Sequence, residues 1–177
     1  TLQVGEQQVR TRLVVGADGT YSSIARTLGI ASVPEPYQHV ALIARVTWQK
    51  AHDGVAWERF CKKNTFAVLP WKGKESIVVW SIDKSQATFY QDNPAALRAA
   101  MPKALGYRLG RVEQCDHVFV LPLVHQMPAS VTAKQALLLG NAAHTFHPVA
   151  AQGFNLTVRD IKRFMDRLET CLLYTSD

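Results

Sequence analysis

The apolar positions of this chain fall into runs of different rhythm, and the rhythm predicts the elements. Strand-like runs cover residues 8–15, 40–48, 55–61, 65–69, 76–82 and 112–124. Turn signals such as His52-Asp53-Gly54 and Lys72-Gly73-Lys74 separate the middle ones, as in an antiparallel meander. Pro122 marks an edge or a bulge in the last run, because proline cannot donate to a ladder. Residues 136–139 are an unbroken apolar run, the composition of a short strand buried on both faces. After Gln152-Gly153 the rhythm changes. Phe154, Val158, Ile161, Met165 and Leu168 are spaced by four, three, four and three, which predicts a helix with one apolar face. Two shorter helices are expected. One is capped by Ser22 or Ser23, runs to Leu28 and is stopped by Gly29. The other opens at Asn93-Pro94 and runs through 95–101 or beyond, with Asn93 as its cap. Pro34 and Pro36 make residues 31–37 a linker.

Composition narrows the class. A length of 177 residues suffices for a sizeable core, and 47% apolar with 19% charged residues fits a soluble globular chain. No run is long enough to span a bilayer, and no signal peptide is visible. The net charge of +6 is scattered, with only short pairs such as Lys62-Lys63 and Lys162-Arg163. That is the pattern of a solvated surface, not of a nucleic-acid patch. Cys61, Cys115 and Cys171 lie far apart, which argues against a zinc site or a disulfide scaffold and for a reducing compartment.

Candidate chemistry concentrates at residues 137–156, where a strand, a small-residue loop and a helix start follow one another. A helix start favours an anionic or electron-rich ligand, and Gly140 and Gly153 allow a close approach to the backbone. Gly16-Ala17-Asp18-Gly19 also follows a strand, though alone it is common turn chemistry. His144 and His147 have no Cys, Asp or Glu nearby in the loop to complete a metal site, so no metal is expected. The chain has no nucleophile elbow, no P-loop and no G-x-G-x-x-G fingerprint.

Together the two glycine-containing segments resemble the FAD-dependent aromatic hydroxylases. Gly140-Asn141-Ala142-Ala143-His144, followed by the loop through Pro148 to Gln152-Gly153-Phe154-Asn155, is similar to the second flavin motif of that superfamily. Gly16-Ala17-Asp18-Gly19 with Ser22 and Arg26 is similar to its "DG" motif, Arg26 falling one residue late. Two further features resemble the ubiquinone-biosynthesis branch, the 2-polyprenyl-6-methoxyphenol hydroxylases. One is Asn141 in place of the usual Asp. The other is the stretch Ala56-Trp57-Glu58-Arg59-Phe60 followed by Phe66-Ala67-Val68-Leu69-Pro70-Trp71. Ala151 is a departure, standing where the family's loop usually has Gly.

The resemblance implies a mixed α/β fold, with part of a Rossmann-like FAD-binding domain and an antiparallel β-sheet substrate domain. Residues 1–30 and 131–170 would belong to the first and 31–130 to the second. FAD would be held by Asp18, Gly19, Arg26, Gly140, Asn141, Ala142, Ala143, Gln152, Gly153, Phe154 and Asn155, with His147 and Pro148 beside the reacting ring. NAD(P)H would be the reductant, and O₂ and a prenylated phenol the substrates. Other subunits of a ubiquinone-biosynthesis complex are candidate partners, and the expected location is cytoplasmic, with room for contact at the inner membrane. A related flavin reductase or halogenase, or a non-catalytic scaffold, are the alternatives. Trp57, Phe60, Phe66, Trp71 and Trp80 either line an apolar cavity or form the inner face of the sheet. Residues 171–177 resemble a translated sequencing adapter, and the start at Thr1 reads as mid-strand. A fragment cut at both ends is therefore expected, with exposed strand edges near Leu13 and Leu138.

Overall fold

The computed structural model describes residues 2–61, 64–148 and 152–174, with side chains up to Thr170. The chain forms two compact units, one from residues 1–35 and 124–177, the other from 36–123.

The second unit is a five-stranded sheet backed by two helices. Its strands are β4 (Glu35–Trp48), β5 (Trp57–Phe60), β6 (Thr65–Pro70), β7 (Glu75–Asp83) and β8 (Val112–His125), in the order β5-β6-β7-β4-β8. Pairing of β4 with β7, β7 with β6 and β6 with β5 is antiparallel, as the meander pattern predicts. Alternation decides what is buried. Val40, Leu42, Ala44, Val46 and Trp48 of β4 share one face with Val78, Trp80 and Ile82 of β7 and with Phe66 and Val68 of β6. Helices α2 (Lys84–Asp92) and α3 (Pro94–Leu105) close that face with Ala87, Leu97, Met101 and Leu105. Phe66 meets Trp80 edge-to-face at 5.2 Å, and Tyr90 of α2 stacks on Trp80 at 5.3 Å.

The two readings of the five aromatics therefore divide. Phe66 and Trp80 are core, Trp57 packs at its margin, and Phe60 and Trp71 are exposed. The opposite face of the sheet carries the row Ala67, Val79, Ile43. Phe60, Leu69, Phe119 and Leu121 are exposed. By alternation with Trp57, Val68, Val118 and Val120, which face the core, they fall on this second face.

The structure corrects several expectations. The linker over 31–37 gives way to strand from Glu35, because residues 35–38 lie beyond the β7 pairing and Pro36 removes no donor from that ladder. The run 112–124 holds Pro122 without difficulty because β8 is an edge strand. Helix α2 has no counterpart in the sequence reading. It is polar apart from a few residues and starts on Asp83, whose carboxylate accepts from Ser85 N–H at 2.8 Å. Asn93 does not cap α3 with its side chain, which instead donates to the Phe89 carbonyl at 2.9 Å at the end of α2.

The first unit is built around a small parallel pair. Strand β1 (Leu2–Val4) precedes the run expected over 8–15, which is itself divided between β2 (Gln7–Val9) and β3 (Val14–Gly16). Gly5, at φ +60°, turns β1 back onto β2 as a hairpin. Strand β3 pairs in parallel with β10 (Ala136–Leu138), and β9 (Thr132–Ala133) covers the other side of β10. Of the two strands expected to leave an edge exposed, β3 does so, whereas β10 with Leu138 is the central strand. Helix α1 (Ser23–Thr27) follows β3, and a 3-10 turn (Gly140–Ala142) follows β10. Helix α4 (Gln152–Tyr174) ends the described chain. Val149, Ala150 and Ala151 lie outside the described residues, as do Lys62 and Lys63 and the side chains of the adapter-like segment from Cys171.

Candidate functional site

Strands β3 and β10 run in parallel, so the loops that leave them emerge at the same, carboxyl, edge of the sheet. In open α/β sheets this edge is where ligands bind. The loop after β3 holds Asp18 and Gly19; the loop after β10 holds Gly140 to His144. Thr20 Oγ1 and Thr145 Oγ1 lie 3.0 Å apart and tie the two loops across 125 residues of sequence.

Each loop is shaped by its own residues. Glycine at 16 makes room for its neighbours: an added Cβ would meet Leu138 Cδ2 at 2.8 Å and Ile24 Cγ2 at 3.0 Å, and those side chains would have to shift. Asp18 braces the turn into α1. It accepts from Ser22 Oγ at 2.5 Å, Ser23 N–H at 2.8 Å, Ser23 Oγ at 2.9 Å and Ile24 N–H at 3.2 Å. The Ser22 hydroxyl is the largest of the effects holding its carboxyl well below the usual carboxylate range, with smaller help from Ser23 and Ile24 against some desolvation. Ser22 is also the N-cap, accepting from Ala25 N–H at 2.9 Å, as the sequence predicts. Gly29, at φ +70°, ends the helix as expected.

In the second loop Gly140 adopts φ +62°, and its carbonyl accepts from both Ala143 and His144 N–H at 3.0 Å. Ala142 and Ala143 are buried with Ala25 and Leu138, so their side chains form the small core of this unit and only their backbone can face a ligand. Asn141 is exposed, and its carbonyl accepts from Thr145 Oγ1 at 3.1 Å. Gly153 has open space where a Cβ would stand, and so does Gly19. Gln152, Phe154, Asn155 and Pro148 are exposed, and His147 is half-buried. Arg26 sits on the last turn of α1 beside a cavity of about 100 Å³ lined also by Thr20, Ser32 and the buried Gln126. It does not share the Asp18 cap.

Two features are not visible in the sequence. His144 Nε2 lies 2.9 Å from Asp160 Oδ2 of α4, and the His144 ring stacks on Phe146 at 5.2 Å. This contact fastens the second loop to the helix, with the Nε2–H tautomer as donor. Nothing in the spacing of the two residues signals it. The second is the direction of α4. Thr157, beside Gly140, and Asp160 face the loop, whereas Phe154 is 76% exposed and Val158, Ile161 and Met165 are exposed with it. The predicted apolar stripe exists, but no described residue covers it.

The geometry suits a cofactor laid along two adjacent loops with accessible backbone. A family model described as an FAD-binding domain matches residues 2–172. The chain belongs to this FAD-binding family. Among its relatives is the ubiquinone hydroxylase UbiL of Rhodospirillum rubrum, 34% identical over 92% of this chain and 38% of that protein. Another is the ubiquinone hydroxylase UbiM of Neisseria meningitidis, 32% identical over 82% of this chain and 32% of that protein. The chain thus spans about a third of the length of these relatives. Its fold is similar to the crystal structure of PqsL from Pseudomonas aeruginosa, with a TM-score of 0.72 and 22% identity over 91% of this chain and 46% of that one. Among the described residues, no group of three or more His, Cys, Asp or Glu side chains is placed to hold a metal, and no helix is long and apolar enough to cross a membrane.

Proposed function

We propose that this chain is part of an FAD-dependent monooxygenase that hydroxylates a prenylated phenol in ubiquinone biosynthesis, with NAD(P)H as reductant and O₂ as oxidant. The observation that carries the reading is the joining of two flavin-type loops at the carboxyl edge of one parallel strand pair through Thr20 and Thr145. The ubiquinone hydroxylases among the relatives support the substrate class.

When bound, FAD supplies the redox and oxygen-transfer chemistry. The chain's residues hold and orient it. Backbone at Gly19 and Gly153 allows close approach, Gly140 makes the positive-φ turn of its loop, Asn141 offers an amide that both donates and accepts, and Asp18 keeps its loop rigid. The start of α4, with Gln152, Phe154 and Asn155, favours negative charge on the ring system. Ala142 and Ala143 act by packing and backbone, Arg26 provides positive charge nearby, and His147 and Pro148 shape the reacting side. The second face of the β5–β8 sheet, with Phe60, Leu69, Phe119 and Leu121, is the apolar surface for the prenylated ring. Residues 1–30 and 131–170 thus serve FAD and 31–130 the substrate. A place beside other biosynthetic subunits and a peripheral contact with the inner membrane fit a lipid substrate.

The test is the longer protein that contains this chain. It should purify with bound flavin, oxidise NAD(P)H only with a prenylphenol present, and place ¹⁸O from ¹⁸O₂ on the ring. Flavin binding with a halogenated or merely reduced product, or no flavin binding at all, would overturn the reading.

A further inference from the structure

One end of the second unit gathers positive charge and exposed aromatic rings from three separate turns. It is the end opposite the one where the chain enters at Pro36 and leaves at Leu123. The turns are residues 49–56, 71–74 and 106–111, and they are tied together by the backbone. Trp48 N–H donates to the Lys74 carbonyl at 3.0 Å, Gln49 N–H to the Arg111 carbonyl at 2.9 Å and Lys50 N–H to the Leu109 carbonyl at 3.0 Å. The Gln49 side chain accepts from Arg111 N–H at 3.2 Å.

On this frame Lys50, Lys72, Lys74, Arg108 and Arg111 stand against Asp53 and Glu75, and the cavity beside Arg108 adds Arg59 and Glu58, six basic groups against three acidic. Trp71 is 67% exposed and Tyr107 59% exposed, with Val55 exposed as well. Neither ring is there for want of a core. Trp71 follows Pro70 off the end of β6, and Tyr107 is held at φ +59°, in the region that favours glycine, by its N–H bond to the Pro102 carbonyl at 2.8 Å.

We propose that this end of the unit docks on an anionic lipid bilayer. Tryptophan and tyrosine favour the headgroup boundary, where the ring is buried and its polar atom stays wet. Lysine and arginine around them meet anionic headgroups. A nucleic acid would use the charges, but it needs a basic groove with rings stacked along it and gains nothing from the exposed Val55. The inference rests on the proposed function for its purpose, since a prenylated phenol partitions into lipid.

The test uses the full-length protein, sedimented with vesicles of phosphatidylcholine alone or enriched in phosphatidylglycerol. Binding should require the anionic lipid and should fall toward the neutral-vesicle level in high salt. The double variant Lys72→Ala/Lys74→Ala should lower partition by about tenfold or more. Trp71→Ala should lower it severalfold, with turnover of a short, water-soluble phenol unchanged in both variants. Vesicle binding that is absent, or equal in wild type and variants, overturns the inference, as does binding to an RNA oligonucleotide in place of vesicles. Correct vesicle behaviour without hydroxylation would instead sink the proposed function and leave the surface standing.

Discussion

The two units solve burial differently. The sheet unit closes its own core, with Trp48, Phe66, Leu42, Leu97 and Met101 fully buried between sheet and helices. The unit with the two glycine-containing loops has a core of Ala25, Leu138, Ala142 and Ala143, helped by Ile24 and Ile30, and it exposes the apolar stripe of α4. Small residues there bring two strands, a helix and two loops close together. The cost is stability, because little apolar area is buried. Binding of a cofactor to such a unit stabilises it by mass action.

The largest expected effect lies in the self-sufficient unit. Phe66→Ala should cost about 3–5 kcal/mol in denaturant unfolding, since it removes a fully buried ring and its contact with Trp80. Cooperative unfolding of wild type in which amides of residues 36–123 exchange no more slowly than those of the cofactor loops would break the comparison. Gly16→Ala should cost about 1–3 kcal/mol by overpacking against Leu138 and Ile24, and it should weaken flavin binding as well. A smaller effect, about 1 kcal/mol, is expected for Asp160→Asn, which weakens the hold of His144 on α4; hydrogen exchange at residues 140–148 should rise.

The smallest effect is a dependence on pH. The Asp18 carboxyl is held below its unfolded value, so its contribution is fully present above that value and is lost as pH falls through the folded one. The melting temperatures of wild type and Asp18→Asn should therefore differ by a constant amount above about pH 5 and converge only in stronger acid. Convergence at neutral pH would refute the brace.

Much of this is legible in the chain. Alternation in 40–48 and 76–82 locates the inner strands, because one face is buried and the side-chain period is two. Ser22, Gly29 and Pro122 fall where cap, stop and edge chemistry require. Helix α2 is hidden because it buries little beyond Ala87 and starts directly after the last residue of a strand. The α4 stripe falls on one face as the spacing predicts, but periodicity cannot say whether a face is covered. The Thr20–Thr145 and His144–Asp160 contacts are out of reach, since each joins residues whose sequence spacing carries no pattern.

If the two loops hold one cofactor together, substitutions in one must change what the other contributes. A double-mutant cycle tests it most directly, with FAD affinity measured by flavin fluorescence for Thr20→Val, Thr145→Val and the pair in the full-length protein. Non-additive losses are expected, with a coupling of about 0.5–3 kcal/mol. Strictly additive losses, or single variants that bind FAD as wild type does, would contradict it.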